Sequence, residues 1–318
     1  MMNRGAIFII PYLLLFIAGC QSQHVGVPEE IPYVDTGVNP DAWVRIPAGE
    51  FLMGQHNHLT TIPYDYEIMV TDVTNLQYAR FLNEALAAGA IKVEDNAVKG
   101  YYPGEPFDGH AHEKKIEAGY KVYMPLDKPG VAITFANNRF SVKKGWENHP
   151  VVMVSWFGAN AYCQFYGWRL PTEKEWEKAA RGTDGRAYPW GNEIHRNQAN
   201  YYSSRNLLKK IWGDGVFTTP VGYFNGKTYG NYQTRDGRSP YGLYDMAGNV
   251  WQWTGDDYHD THLRYMRGGS FSNYEYNLRV WARNSAGPEY YDLNVGFRCV
   301  REVTKQSQNN GDATNENQ

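Results

Sequence analysis

The 318-residue sequence predicts a loop-rich globular fold in which a few short helices and strands are joined by long irregular stretches. Three observations lead there. Ten Trp, 25 Tyr and 32 Gly accompany a negative mean hydropathy, and aromatic rings each bury enough area to hold irregular backbone together. Helical periodicity with a recognisable start is confined to three segments, beginning at Thr74, Ser155 and Thr172. From Tyr188 to Tyr258 that periodicity is almost absent. Turn sequences recur there instead: Pro189-Trp190-Gly191-Asn192, Gly213-Asp214-Gly215, Asp236-Gly237-Arg238 and Met246-Ala247-Gly248-Asn249.

The first residues read as a targeting segment. Arg4 supplies a short positive region, and Ala6–Ala18 is an apolar run too short to span a bilayer comfortably. Ile17-Ala18-Gly19-Cys20 resembles the bacterial lipobox, in which the cysteine is lipidated and becomes the mature N-terminus. Several acyl chains on one residue anchor a protein stably where a single chain is marginal. Gln21 rather than Asp follows the cysteine, which in Gram-negative sorting implies the outer membrane. An ordinary secretory signal with a chance cysteine is the alternative. The expected organisation is a lipoprotein signal peptide over 1–19, a lipidated tether over 20–42, a folded domain over 43–302 and a disordered polar tail over 303–318.

Within the domain, Trp43–Gly54 carries strand-forming residues around a Pro-Ala-Gly turn. Thr74 with Gln77 forms a capping box for a helix whose apolar face is Leu76, Tyr78, Ala79, Phe81, Leu82, Ala85 and Leu86, ending near Gly89. Residues 92–148 look less regular, apart from a hairpin in which Ile133–Phe135 and Phe140–Val142 flank Asn137-Asn138. Ser155 caps a helix running to Tyr166. Thr172 and Glu175 form a second capping box for Glu173–Arg181.

Generic chemistry is sparse. A formal charge of −3 with no long basic run argues against nucleic-acid binding, which rests on neutralising phosphates. Glu173, Glu175 and Glu177 invite an acid/base reading, but beside Lys174 and Lys178 on a helix they predict a solvated, charge-paired face. His110 and His112 fall in a Gly/Pro-rich loop without a third ligand. His259 and His262, near Asp256, Asp257 and Asp260, read as a solvated loop rather than a metal cluster. No GxSxG, phosphate-binding glycine loop, CxxC or HExxH occurs. Cys163 and Cys299 are an even pair in an exported chain, which suggests one bridge, with two buried free thiols as the alternative.

Several blocks taken together resemble the formylglycine-generating enzyme (sulfatase-modifying factor) domain family. They are IPAGEFLMG at Ile46–Gly54, Val73-Thr74-Asn75 with its helix, and HPVVMVSW through RLPTEKEWEKAARG at His149–Gly182. YPWGN at Tyr188–Asn192, GLYDMAGNVWQW at Gly242–Trp253, RGGS at Arg267–Ser270 and the Val295–Arg301 block with its GFRC follow in family order. The resemblance implies an α+β fold, a C-type-lectin-like domain with low regular secondary structure, stabilised by calcium. It pairs Cys163 with Cys299 in a structural disulfide and replaces a second family disulfide by Ala180 and Val280. It places one calcium at Asn200 and Asp214 with the carbonyls of Tyr201 and Val216. A second, weaker one falls at Gly248, Asn249, Val250 and Gln252, where the usual ligand is glutamate.

The active oxidases follow RGGS with a CHxSYC segment whose two cysteines bind copper and attack the substrate. Here Ser270 leads through Phe271-Ser272-Asn273-Tyr274-Glu275 to Tyr276, about three residues shorter, with Glu275 standing near the second thiol position. A carboxylate supplies neither soft copper(I) ligation nor thiol–disulfide exchange. No copper is expected, and formylglycine formation is not. The iron-dependent branch is disfavoured because no HxxxH occurs. The expectation is a lipid-anchored envelope protein whose aromatic cleft (Tyr274, Tyr276, Trp281, Tyr290, Tyr291) binds a peptide, glycan or protein partner, as in related lipoproteins of gliding and type IX secretion assemblies. The alternative is a periplasmic oxidoreductase of altered chemistry, similar to the pyoverdine-maturation branch, using Ser270, Glu275 and Arg283.

Overall fold

The computed structural model describes residues 27–105, 116–204, 208–209, 213, 215–258 and 261–303. The expected signal peptide, Cys20, His110 and His112, Asp214, His259 and Asp260, and the tail beyond Val303 lie outside them.

Short strands and three helices alternate as the turn-rich sequence requires. Strands β1 (Trp43–Ile46), β2 (Gly49–Met53), β3 (His58–Ile62) and β4 (Tyr66–Met69) come first, β1 pairing antiparallel with β4 and β2 with β3. Helix α1 (Asn75–Ala87) starts at Thr74, whose side chain accepts from the Gln77 amide while Gln77 Oε1 accepts from the Thr74 amide. Such a cap contributes about 1 kcal/mol. Its face is buried at Tyr78, Ala79, Phe81, Leu82 and Ala85, but Leu76 is exposed. Leu76 is the second residue of the helix, where the chain is still turning in from Thr74.

Residues 91–102 and 119–125 are more regular than their sequence suggests. Strands β5 (Ile91–Glu94), β6 (Ala97–Tyr102) and β7 (Gly119–Pro125) form an antiparallel sheet. Its first turn, Asp95-Asn96, holds both residues at positive φ, a conformation Asp and Asn tolerate better than most side chains. The Asn137-Asn138 turn between β8 (Ile133–Ala136) and β9 (Arg139–Val142) works in the same way.

Helix α2 (Trp156–Phe165) is capped by Ser155 and α3 (Glu173–Arg181) by Thr172 with Glu175, as predicted. A two-residue pair, β10 (Thr228–Tyr229) and β11 (Tyr232–Gln233), follows within the turn-rich region. The main sheet then assembles from β12 (Trp251–Asp257), β13 (Arg264–Arg267), β14 (Arg283–Ala286) and β15 (Val295–Phe297), in the order β14-β13-β12-β15 with β12 and β15 parallel. Strand β16 (Val300–Glu302) returns to pair with β4, tying the end of the domain to its beginning.

The larger core joins α1, α2 and the main sheet through stacked and edge-on rings of Tyr78, Phe81, Tyr162 and Phe297. Cys163 on α2 and Cys299 after β15 form a disulfide at its centre with both sulfurs buried, resolving the two readings of that pair. A second core gathers Tyr66, Trp176, Leu243 and Met246. Ala180 and Val280, where the resemblance implied a lost disulfide, are both fully buried there. Apolar burial in that core stands where the family has a covalent link.

The expected tether begins to pack before Trp43. Ile31 and Thr36 are buried, the Trp146 indole donates to the Pro28 carbonyl, and Thr36 Oγ1 donates to the Val221 carbonyl at 3.0 Å.

Candidate functional site

The charged face of α3 is the main correction to the sequence reading. Glu173, Glu175, Glu177, Lys178 and Arg181 are all buried rather than solvated. The cation shared by Glu173 and Glu177, Arg267, lies about ninety residues further along the chain, so no local pattern announces it. Arg267, wholly buried at the end of β13, donates to Glu173 Oε1 at 2.7 Å and to Glu177 Oε2 at 2.5 Å. Arg181 donates to Glu177 Oε1 at 2.9 Å and to the Leu52 and Gly54 carbonyls. Glu177 Oε1 also accepts from the Gly54 amide at 2.6 Å. Arg283 reaches Glu173 from the surface. Lys178 donates to the Pro47 and Gly49 carbonyls, and burial holds its pKa below the usual ammonium value. These contacts clamp the β2–β3 hairpin and the Arg267–Ser270 segment onto one helix.

Glu175 faces the other way, in a bidentate pair with Arg169 at 2.6 and 2.7 Å. Burial alone would raise its pKa, but the Arg169 guanidinium and the Thr172 amide and hydroxyl hold it below the usual carboxylate value. It is a structural anion, not an acid/base catalyst.

The three catalytic candidates each have a separate partner. Ser270 is fully buried and spends its hydroxyl on Asn273 Oδ1 at 2.6 Å and Ser272 Oγ at 3.0 Å. Glu275 is half-buried and accepts from Ser203 Oγ at 2.8 Å. Arg283 is taken up by Glu173. No hydrogen bond or ion pair joins any two of them among the described residues.

The five-aromatic cleft also divides. Tyr276 and Trp281 line a groove of about 460 Å³ against the tip of the β2–β3 hairpin. Tyr274 instead packs on Tyr202 with ring centroids 4.4 Å apart. Tyr291 lies against the larger core and Tyr290 donates to Asp292. Sequence reasoning missed the hairpin wall of the groove, His56 and His58. Two histidines spaced by two, at the hairpin turn and the start of β3, were the available signal.

The calcium sets differ in fit. At the first, the Asn200 amide nitrogen donates to the Phe217 carbonyl and Asn249 Oδ1, leaving its own Oδ1 for a cation. The Tyr201 carbonyl already accepts from the Ser204 amide and hydroxyl, so Asn200 Oδ1 and the Val216 carbonyl are the described oxygens suited to calcium. At the second, Gln252 Oε1 accepts from Trp176 Nε1 at 2.7 Å and Arg298 Nε at 2.8 Å, and its amide donates to the Asp245 carbonyl. Asn249 is held by Asn200 and Thr219, and its carbonyl accepts from Phe271. Gly248 donates to the Gly268 carbonyl, and Val250 is fully buried in the larger core. With an arginine against Gln252 Oε1, this set suits a hydrogen-bonded hub better than a divalent cation. Asp256 accepts from the Glu173 amide and Asp257 pairs with Arg264, so neither is an open ligand.

Copper does not fit the segment after Ser270. Its side chains offer rings, hydroxyls, an amide and a carboxylate where copper(I) takes thiolates, and both domain cysteines are bridged. No step through copper is derived.

Capped helices, irregular backbone, the bridge and the RGGS turn together define a formylglycine-generating-enzyme-type α+β domain with its framework kept and its thiols gone. The chain belongs to the family described as sulfatase-modifying factor enzyme 1-like domain, whose model matches residues 30–303. It is 29% identical to the inactive C-alpha-formylglycine-generating enzyme 2 of Mus musculus over 91% of this chain and 92% of the relative. It is 38% identical to the formylglycine-generating enzyme of Thermomonospora curvata, covering 81% and 92% respectively. The solved structure of PvdO from Pseudomonas aeruginosa superposes with a TM-score of 0.52 at 22% identity, covering 88% of this chain and all of that one. That likeness speaks to the fold.

Proposed function

We propose that this chain is a lipid-anchored envelope protein whose domain binds or scaffolds a partner and performs no cysteine-dependent oxidation. The observation that carries the reading is the absence of an available thiol. Of three cysteines, Cys163 and Cys299 are bridged and Cys20 sits in the lipobox. Formylglycine formation needs thiolates at the position now held by Phe271–Tyr276, and oxygen or amide side chains there cannot undergo disulfide exchange. The similarity to a relative named inactive, along nearly the whole chain, supports this. Similarity to active enzymes reflects the shared framework.

Attachment rests on Cys20. No helix among the described residues is long and apolar enough to cross a membrane, and acylation at the lipobox supplies the anchor, in the outer membrane given Gln21. The partner is a peptide, glycan or envelope protein. Scaffolding in a gliding or type IX secretion-type assembly is the role nearest in kind. Calcium held by Asn200 Oδ1 and the Val216 carbonyl, with Asp214 as the expected carboxylate, is the proposed support of this loop architecture.

Metabolic labelling with a palmitate analogue tests the anchor. The native chain should label and sediment with outer membranes, and Cys20→Ala should do neither. Equal labelling or sedimentation of the variant would refute the lipid anchor.

A further inference from the structure

The groove between the β2–β3 hairpin and Tyr276–Arg283 is electropositive by construction. Its eleven lining residues include His56, His58, Gln55, Asn277 and Arg283 but neither Asp nor Glu. Glu173, which pairs with the lining residue Arg283, and Glu177 are already shared among Arg181, Arg267 and Arg283. Within this buried cluster three guanidiniums meet two carboxylates. Arg279 adds a further guanidinium at the groove's Tyr276–Trp281 wall. It has no carboxylate partner among the described residues and lies over the Tyr276 and Trp281 rings, 5.0 and 5.7 Å from their centroids.

The geometry is also fixed. Arg181 and Glu177 grip the hairpin through the Leu52 and Gly54 carbonyls and the Gly54 amide. Gly54 turns at φ +75° with open space where a Cβ would stand. On the opposite wall Arg283 is fixed through Nε. Its side chain remains 39% exposed, leaving the terminal nitrogens for a ligand. Pre-set donors around a pocket cost a ligand little reorganisation.

We propose that this groove binds a small organic anion: a ring-sized molecule bearing a carboxylate, of which a hexuronate is the representative. Arg283 takes the carboxylate through its guanidinium fork. His56, His58, Gln55 and Asn277 hydrogen-bond the flanking hydroxyls. The exposed Tyr276 ring, 58% accessible, offers an apolar flank to the sugar. A volume of about 460 Å³ suits one such ring and excludes a long oligomer from full enclosure. This site borders the position of the lost thiols at Tyr276 but uses none of their chemistry, and it does not depend on the membrane anchor.

Calorimetric titration of the purified domain-bearing chain with D-glucuronate, D-glucose and acetate tests it. Glucuronate should bind saturably and weaken as salt rises. Glucose and acetate should each bind at least tenfold more weakly, one lacking the charge and the other the ring. Arg283→Gln should weaken glucuronate tenfold or more, while Glu173 keeps Arg267 as its partner. His58→Gln, on the exposed hairpin, provides a second variant that leaves the buried network intact, and it too should weaken binding. No saturable glucuronate binding, equal binding of glucose, or indifference to both variants would overturn the assignment.

Discussion

Replacing Arg267 with Met probes the buried charge network that the domain is assembled on. The side chain is fully enclosed, and it donates to Glu173, Glu177 and the Val280 carbonyl. Methionine is close in length but has no charge, so two carboxylates lose a partner inside the protein. Arg283 still reaches Glu173 and Arg181 still reaches Glu177, which lessens the damage without removing it. Breaking a buried ion pair from one side costs about 3–5 kcal/mol. At about 2–4 °C per kcal/mol for a domain of this size, the midpoint of thermal unfolding should fall by roughly 6–20 °C. The control is Arg238→Met, which removes a surface pair with Asp236 whose side chains are 53% and 40% exposed; that pair contributes under about 1 kcal/mol. Scanning calorimetry on both variants measures the contrast. Equal midpoints would show that α3 presents a solvated face after all and that the clamp contributes nothing.

Three further outcomes follow. Replacing both Cys163 and Cys299 with Ala opens a crosslink spanning 136 residues, for which the chain-entropy model gives up to about 5 kcal/mol; chemical denaturation should show a large loss, and an unchanged midpoint would remove the bridge from the account. Burial lowers the pKa of His149 from 6.5 to about 3, so the unfolded chain takes up a proton below pH 6.5 that the folded chain refuses. This contribution is intact above 6.5 and is lost as pH falls toward 3, at about 1.4 kcal/mol per unit. The stability difference between native protein and His149→Gln should shrink at that rate in urea titrations, whereas a constant difference would contradict the burial argument. Chelating calcium should lower the melting midpoint reversibly, by about 2.7 kcal/mol of linked stability where calcium stood at a hundredfold its dissociation constant; no shift would remove the Asn200 site.

Legibility in the sequence tracked how local the physics is. The caps at Thr74, Ser155 and Thr172 and the Asn137-Asn138 turn were readable because each is decided within four residues. The β5–β7 sheet was not, because each strand is short and the last two are joined by a long connection rather than a tight turn. The Glu173–Glu177 face was misread because its partners lie about ninety residues away, at Arg267, and a buried carboxylate looks like a surface one until its cation is found. The missing thiols were plain from composition. That Ser270, Glu275 and Arg283 serve separate contacts was not, because sequence neighbours on a turn can face different walls.

Oxygen uptake by the purified chain with copper and a CxPxR sulfatase peptide tests the central claim most directly. With Cys163 bridged to Cys299 and no cysteine between Ser270 and Tyr276, the account predicts consumption at the level of peptide and copper alone, with the peptide cysteine unchanged by mass spectrometry. Enzyme-dependent oxygen uptake accompanied by formylglycine in the peptide would contradict it.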